Sequence, residues 1–430
     1  MGNNIKIREW AHKTICLTAI AILSGCASVN DNELFGVKIE YLTYQTEEHG
    51  RDGLIGADGK VLFEPEIKGY MKTPVNGVFA IEGDDRQTLK LYRADKDHEQ
   101  IGEDYSAAGY FITDIAPVVV GGEPIKFIDK EGNVVFKLSR LNGKKVRAVT
   151  NFSDGLCAYK SEDNLWGYID KEGKSVIRDK YQFVSPFVDG KAFVIYQKTE
   201  ADKEKVLIID KKGKVCKELK DDNWLVADFI TVEKYVALNG GEGNVINRDG
   251  NVVIKKKPKY KNILPFGDDF IIRTDNGIGV MDKDEKIIIR PKYKWVTPVS
   301  SGKLYIASDE DNCFLLDQDG KKIKGSEYDY ISYFLDGQHG VARDGGEYFF
   351  IDTEGKPINK DSYYYISTIE SHGMFRSMES PDVDYRYGRT FWMDQDYCFG
   401  TFVSVVYGYW LTMNYHPGVY GGLIMSGGSD

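Results

Sequence analysis

Ile128-Asp129-Lys130-Glu131-Gly132-Asn133, Ile169-Asp170-Lys171-Glu172-Gly173-Lys174 and Ile209-Asp210-Lys211-Lys212-Gly213-Lys214 are one phrase written three times. Looser copies stand at Ala57-Asp58-Gly59, Asp95-Lys96-Asp97-His98, Asn247-Arg248-Asp249-Gly250, Asp282-Lys283-Asp284-Glu285, Asp317-Gln318-Asp319-Gly320 and Asp352-Thr353-Glu354-Gly355. Between Gly59 and Gly355 the copies recur about every 37 residues, which is the mark of a tandem repeat. Insertion of Leu141-Asn142-Gly143-Lys144-Lys145 lengthens one unit.

Each copy reads as a hairpin turn. The opening Asp accepts backbone N–H groups just downstream, and the closing Gly supplies the left-handed backbone that such a turn needs. His98 tolerates that slot, and Glu285 marks a weaker turn. The flanks are short β-branched and aromatic runs. Val206-Leu207-Ile208-Ile209 and Tyr348-Phe349-Phe350-Ile351 precede turns, and Val134-Val135-Phe136 and Val252-Val253-Ile254 follow them. They are too short for helices and apolar at consecutive positions, so they read as strands covered on both faces.

The second half of the unit recurs as well. Tyr181, Tyr293, Tyr328 and Tyr363 each lie eight residues past the turn position. Pro186-Phe187, Pro265-Phe266 and Pro298-Val299 follow, then glycines such as Gly190, Gly302 and Gly337. The expected fold is all-β. About nine meander units of three strands, with a Pro-marked connection able to add a fourth, stack as blades in either an open curved array or a propeller-like ring.

Leu165-Trp166-Gly167-Tyr168-Ile169-Asp170-Lys171-Glu172-Gly173-Lys174, continuing through Tyr181 and Ser185-Pro186-Phe187-Val188-Asp189-Gly190, resembles the bacterial WG-repeat (KWG-repeat) proteins. The resemblance spans roughly residues 50 to 370 and is degenerate outside that unit; Ile278-Gly279 keeps only the Gly. The family is defined by its repeat and implies no shared ligand. Trp166, Tyr181, Tyr293 and Tyr328 are the candidate ligand-contact aromatics, with a core position the competing reading for Trp166.

The N-terminus carries Lys6, Arg8 and Lys13, a short apolar run from Thr14 to Leu23, and then Leu23-Ser24-Gly25-Cys26. This resembles a lipoprotein signal peptide with its lipobox, implying cleavage before Cys26 and acylation of its thiol. Ala27 after the Cys fits outer-membrane retention by analogy with enterobacterial sorting. The expected organisation is signal peptide 1–25, tether 26–33, repeat body 34–372 and a divergent terminal part 373–430. Loss of 1–25 removes Lys6, Arg8, Lys13 and Glu9, so the net charge moves from −10 to −12 (−10 − 2). That balance argues against nucleic acid as a partner. Lys255-Lys256-Lys257-Pro258-Lys259-Tyr260-Lys261 is the local exception, read as a solvated strand edge or as a contact for anionic glycan or lipid.

Chemistry is hard to find in the sequence. The histidines are scattered, no phosphate loop or Gly-x-Ser-x-Gly elbow stands out, and the acidic pairs follow the turns. Asp317-Gln318-Asp319-Gly320 lacks the further oxygen ligands of a calcium loop. No metal and no cofactor are expected. Cys157, Cys216, Cys313 and Cys398 read as buried free thiols. Trp392-Met393-Asp394-Gln395-Asp396-Tyr397 resembles a tenth turn, and from Tyr397 to Ser429 there is no Asp, Glu, Lys or Arg. That tail reads either as a capping unit or as a misread end. The leading functional expectation is a non-enzymatic, lipid-anchored envelope protein that binds a protein or glycan. The alternatives are a glycan-active enzyme in a propeller channel and a structural spacer.

Overall fold

The computed structural model describes residues 33–34, 37–38, 41–47, 50–67, 70–83, 88–94, 99–121, 123–199, 203–219, 235–237, 243–266, 268–299, 303–309, 312–332, 334, 337–366, 419–420 and 423–425. The lipobox segment, Cys26, His98, the proposed tenth turn, residue 397 and Cys398 fall outside them.

Among the described residues the repeat forms nine antiparallel sheets, one for each recurring turn in the sequence. Sheet four is typical. It runs Lys144–Ser153, Leu156–Ser161, Trp166–Ile169 and Ser175–Tyr181, each strand pairing with the next. Sheets one, three, five and seven also have four strands in the repeat pattern. The expected fourth strand from the Pro-marked connection is therefore present in these sheets. The Pro-marked connection supplies the first strand, as at Asn262–Phe266 and Trp295–Pro298. In sheets two, eight and nine the outer position is held by isolated bridges, for example Leu316 to Lys322 and Tyr348 to Tyr363.

The turns work as their residues dictate, with one refinement. The Asp Oδ1 accepts amides two and four residues on. At Asp170 these come from Glu172 (3.1 Å) and Lys174 (2.8 Å), and Asp129, Asp210, Asp282, Asp317 and Asp352 repeat the pattern. The Gly has φ of +76° at Gly173 and +77° at Gly213. Neighbouring sheets add a second demand on the same position. A Cβ at Gly173 would lie 2.8 Å from the Phe136 ring of sheet three, and one at Gly250 would lie 2.8 Å from Ile208 of sheet five. Turn and inter-sheet packing thus converge on one residue.

Glu285 occupies this slot at φ +61°. Its carboxylate pairs with Lys257 of the preceding unit. A left-handed side chain is strained by about 1 kcal/mol, comparable to the most that a half-exposed ion pair returns. Glu285→Gly is expected to leave stability unchanged or raise it by up to about 1 kcal/mol, as read by urea unfolding. A clear loss would mean that the Lys257 pair outweighs the strain.

Burial separates the edges of each sheet. Second and third strands are covered throughout, as in Phe193-Val194-Ile195 and Leu207-Ile208-Ile209. The strand after each turn was expected to be covered on both faces. It is instead the outer strand and is covered on one face only, with Val134 46% and Val252 54% exposed while Ile177, Ile254 and Ile289 are buried. First strands are buried and form the inner edge, with Val184, Ile263, Val296 and Ile331 all in the core. Cys157 and Cys313 are buried, and burial raises their thiols to about 12 and about 11. Cys216 departs from expectation: it sits exposed on an outer strand beside Lys191. The lysine run at 255–261 forms a connection between units. There Lys256 donates to the Lys261 carbonyl and Lys261 pairs with Asp275 (2.7 Å).

Apolar clusters bridge successive sheets, such as Phe183, Phe193 and Ile208 of sheet five with Val236 and Ile246 of sheet six. Lysines at the turns tie neighbours further. Lys130 donates to the Asn76 carbonyl (3.1 Å), Lys171 approaches Asp114 (3.9 Å), and Lys211 pairs with Asp154. The chain then closes on itself. Tyr365–Ile366 pairs antiparallel with Tyr41–Gln45, in register Tyr44 with Ile366 and Gln45 with Tyr365. The last strand thereby becomes the first strand of sheet one. Tyr363 packs edge-on against Tyr44 at 5.3 Å, and Gly59 meets Asn359 and Phe350 of sheet nine. Of the two expected arrangements, the structure is the closed ring.

Candidate functional site

The four aromatics named as candidate contacts do not come together on a surface. Trp166 is 8% exposed, Tyr181 1% and Tyr293 9%, all within inter-sheet clusters. Tyr328 is half-buried, stacks edge-on with Phe349 and donates to the Gly355 carbonyl at 2.6 Å. Tyr181, Tyr293 and Tyr328 sit where one unit hands its outer strand to the next unit's inner strand, and Trp166 opens the third strand directly across from Tyr181, so the aromatics fill the junction. Trp166 keeps one polar contact, with Lys160 Nζ 5.6 Å from its ring centroid. The Tyr181 hydroxyl has no hydrogen-bond partner among the described residues, and burial lifts its pKa to about 12. Tyr181→Phe is therefore expected to be neutral or stabilising by up to about 1 kcal/mol in thermal unfolding. A loss above 1 kcal/mol would show that the hydroxyl has a partner after all.

The naming dipeptide also has a packing cause. A Cβ at Gly167 would lie 2.4 Å from the Ile177 carbonyl oxygen, 2.7 Å from the Asp179 amide nitrogen and 2.8 Å from the Tyr159 ring. Tyr159 lies directly across from Gly167 in the sheet, and its hydroxyl accepts the Asp179 amide at 3.1 Å. Gly53 meets Tyr44 and the Phe63 carbonyl in the same way, and Gly279 meets the Ile289 carbonyl. These glycines let the outer strand fold in beneath a neighbouring side chain.

The titratable groups are dispersed. Among the described residues no group of three or more His, Cys, Asp or Glu side chains gathers as a metal would require. One carboxyl stands apart. Asp269 is raised to about 6, chiefly by burial and further by Asp268 and Asp282, while the Tyr305 hydroxyl, 3.4 Å away, opposes the shift. A carboxyl whose folded pKa exceeds its unfolded value favours folding below the unfolded value, near 4, and loses that contribution as pH rises through 6. Asp269→Asn is expected to gain about 1 kcal/mol over wild type at pH 8, with the gain shrinking towards pH 4. Urea midpoints of both proteins across that range check it, and an equal difference at both ends would sink it.

The inner edge carries what the repeat does not explain. First strands stand at one edge of their sheets, and an unpaired strand edge accepts another strand. In sheets three and four this edge is used. Val419–Tyr420 pairs parallel with Ala107–Ala108. Leu423–Met425 pairs antiparallel with sheet four, Ala148 against Met425, Val149 against Ile424 and Thr150 against Leu423.

The two edges are held as one platform. Asn151 Oδ1 of sheet four accepts the Tyr110 amide of sheet three at 3.0 Å. A Cβ on Gly109 would lie 2.4 Å from that oxygen, so only Gly permits the approach. Thr150 accepts the Ala158 amide through its hydroxyl (3.0 Å), and Cys157 donates its thiol to the Thr150 carbonyl (3.0 Å). The hairpin Arg140–Leu141 with Lys144–Lys145, turning at Asn142-Gly143 with both φ positive, lengthens the sheet-four strand to ten residues. The insertion seen in the sequence thus builds the longest inner strand among the described residues. Ala107, Ala108, Ala148, Val149 and Thr150 are small and uncharged, and Arg147 beside them is exposed. Such an arrangement offers backbone hydrogen-bonding groups along the strand edge.

A family model described as WG containing repeat matches residues 166–196 and 278–313. Each match starts at the third strand of one sheet and runs through the second strand of the next. The copied unit is therefore offset from the folded sheet, and a ring built from it is completed by joining its ends. Solved structures are similar to the chain at low identity. A crystal structure of the eukaryotic initiation factor is 10% identical, covering 76% of this chain and 96% of that one with a TM-score of 0.50. BamB from Moraxella catarrhalis is 11% identical over 68% of this chain and 90% of its own, with a TM-score of 0.33. AztD from Citrobacter koseri is 11% identical over 76% and 96%, with a TM-score of 0.34. No curated protein sequence matches the chain.

Proposed function

For this WG-repeat protein, closed into a ring, we propose a non-enzymatic binding role in the cell envelope. It is anchored through acylated Cys26 and engages a protein at the inner edge of the ring. The observation that carries the reading is the addition of strands 419–420 and 423–425 to the first strands of sheets three and four. An edge that takes a strand from a distant part of the chain has the geometry for β-strand addition, in which main-chain hydrogen bonds supply the affinity. The lipobox Leu23-Ser24-Gly25-Cys26 supports the location, and Ala27 favours the outer membrane. The repeat supports a scaffold, because its polar residues are spent on turns and on ties between sheets.

The test is made in cells with a photo-reactive amino acid at the exposed Arg147 position, beside the platform. The expected result is a discrete cross-linked protein adduct in the membrane fraction. Cys26→Ser is expected to abolish acyl labelling and shift the chain to the soluble fraction. No protein adduct at position 147, or an unlabelled chain with Cys26 intact, would count against the corresponding half of the proposal.

A further inference from the structure

We infer that the joint inner edge of sheets three and four is an acceptor for an extended, uncharged segment of a partner protein. Strands 419–420 and 423–425 are the chain's own occupant of it, and the partner displaces them. The inference rests on the reading of the ring as a protein-binding body and specifies both its site and its regulation.

The chemistry of the occupant is written in the platform. Its pairing residues, Ala107, Ala108, Ala148, Val149 and Thr150, offer no charge to pair with and little side-chain bulk. The resident segment Val419-Tyr420-Gly421-Gly422-Leu423-Ile424-Met425 matches that surface: it lacks charge and proline throughout. It lies in a stretch, Tyr397 to Ser429, with no Asp, Glu, Lys or Arg, in a chain that carries 122 such residues (56 + 66). The ring does not require this segment for closure, because sheet one is completed by Tyr365–Ile366. The Asn151–Tyr110 hydrogen bond ties the two edges together. A competing segment must supply the same main-chain hydrogen bonds, parallel to Ala107–Ala108 and antiparallel to Ala148–Thr150.

A segment covalently joined to its own acceptor has an effective concentration that a free competitor must exceed, commonly in the millimolar range. The resident strand therefore sets a threshold for partner binding. Weak or non-matching strands are excluded, and a matching partner segment at high local concentration is admitted.

The experiment uses the full chain and a full-length Leu423→Pro/Ile424→Pro variant. Consecutive amides of a strand point to opposite sides, so the double change removes one edge-facing donor whichever of the two it is. The probe is a fluorescein-labelled peptide with the sequence of residues 418–426. The expected result is binding by the variant at least about tenfold tighter than by wild type, with faster amide exchange at residues 148–150 in the variant and an unchanged melting temperature. Equal peptide affinity in the two proteins overturns the inference, as does no peptide binding by the variant. A concentration-dependent dimer in wild type that is lost in the variant overturns it too, by assigning the occupant to a second copy. If the variant fails to bind peptide while the Arg147 adduct persists, only the resident-strand inference falls. If the adduct is absent as well, the protein-binding reading falls with it.

Discussion

A Gln45→Cys/Tyr365→Cys chain is expected to form an intramolecular disulfide on oxidation and to become far harder to unfold. The two positions are paired in the register that joins Tyr365–Ile366 to Tyr41–Gln45, which brings them within reach of a cross-strand bridge. They are also separated by nearly the whole repeat body. Chain-entropy arguments credit a loop of this size with about 5 kcal/mol, towards the top of the range seen for any disulfide. Removing Gln45 sacrifices only its hydrogen bond to Asp52 (2.7 Å), a loss of about 1 kcal/mol. A monomeric species of increased mobility on non-reducing gels, with a urea midpoint that falls on reduction, would meet the expectation. Cross-links formed only between chains would mean that the array is open. Cys16, Cys26, the exposed Cys216 and Cys398 should be replaced in the background so that stray thiols do not confuse the reading.

The second large effect is expected at Gly167. An added methyl would face the Ile177 carbonyl and the Asp179 amide on one side and the buried Tyr159 ring on the other. Backbone cannot move without tearing the outer strand from its neighbour. Tyr159 cannot swing without losing its contacts with Asp179, Ser175 and Asn142. Gly167→Ala is expected to destabilise by about 3 kcal/mol, the upper end for overpacking a fixed site. Gly121→Ala, where a Cβ would meet nothing within 4 Å, is the control and should change stability by less than about 0.5 kcal/mol. Comparable losses at both positions in urea unfolding would remove the packing explanation of the Trp-Gly dipeptide.

The sequence carried the fold further than the site. The Asp and Gly of the turns are legible because they act over four or five residues, and local geometry needs no knowledge of neighbours. Tyr181 and Tyr293 were equally visible as a period, but period alone does not say whether a ring faces water or a neighbouring sheet. The outer valines show the same limit. Val134 and Val252 look like core residues in a one-dimensional pattern, and only the order of strands within the sheet puts them on the rim. The platform at sheets three and four left one trace in the sequence, the extra Asn142-Gly143 hairpin, with no sign there of what the lengthened strand would meet.

By itself the sequence determined a β protein of nine copied units, because each unit's turn chemistry and apolar runs are local and repeat at one spacing. It also determined that no single unit could stand alone, since strands apolar on both faces need partners on both sides. The tertiary structure alone decided that the units close into a ring. Closure depends on whether the small rotation between neighbouring sheets accumulates to a full turn, and no residue encodes that sum. It alone decided, too, that residues 419–420 and 423–425 lie on the edges of two sheets, because pairing between strands so far apart in the chain is set by where the ring brings their backbones together.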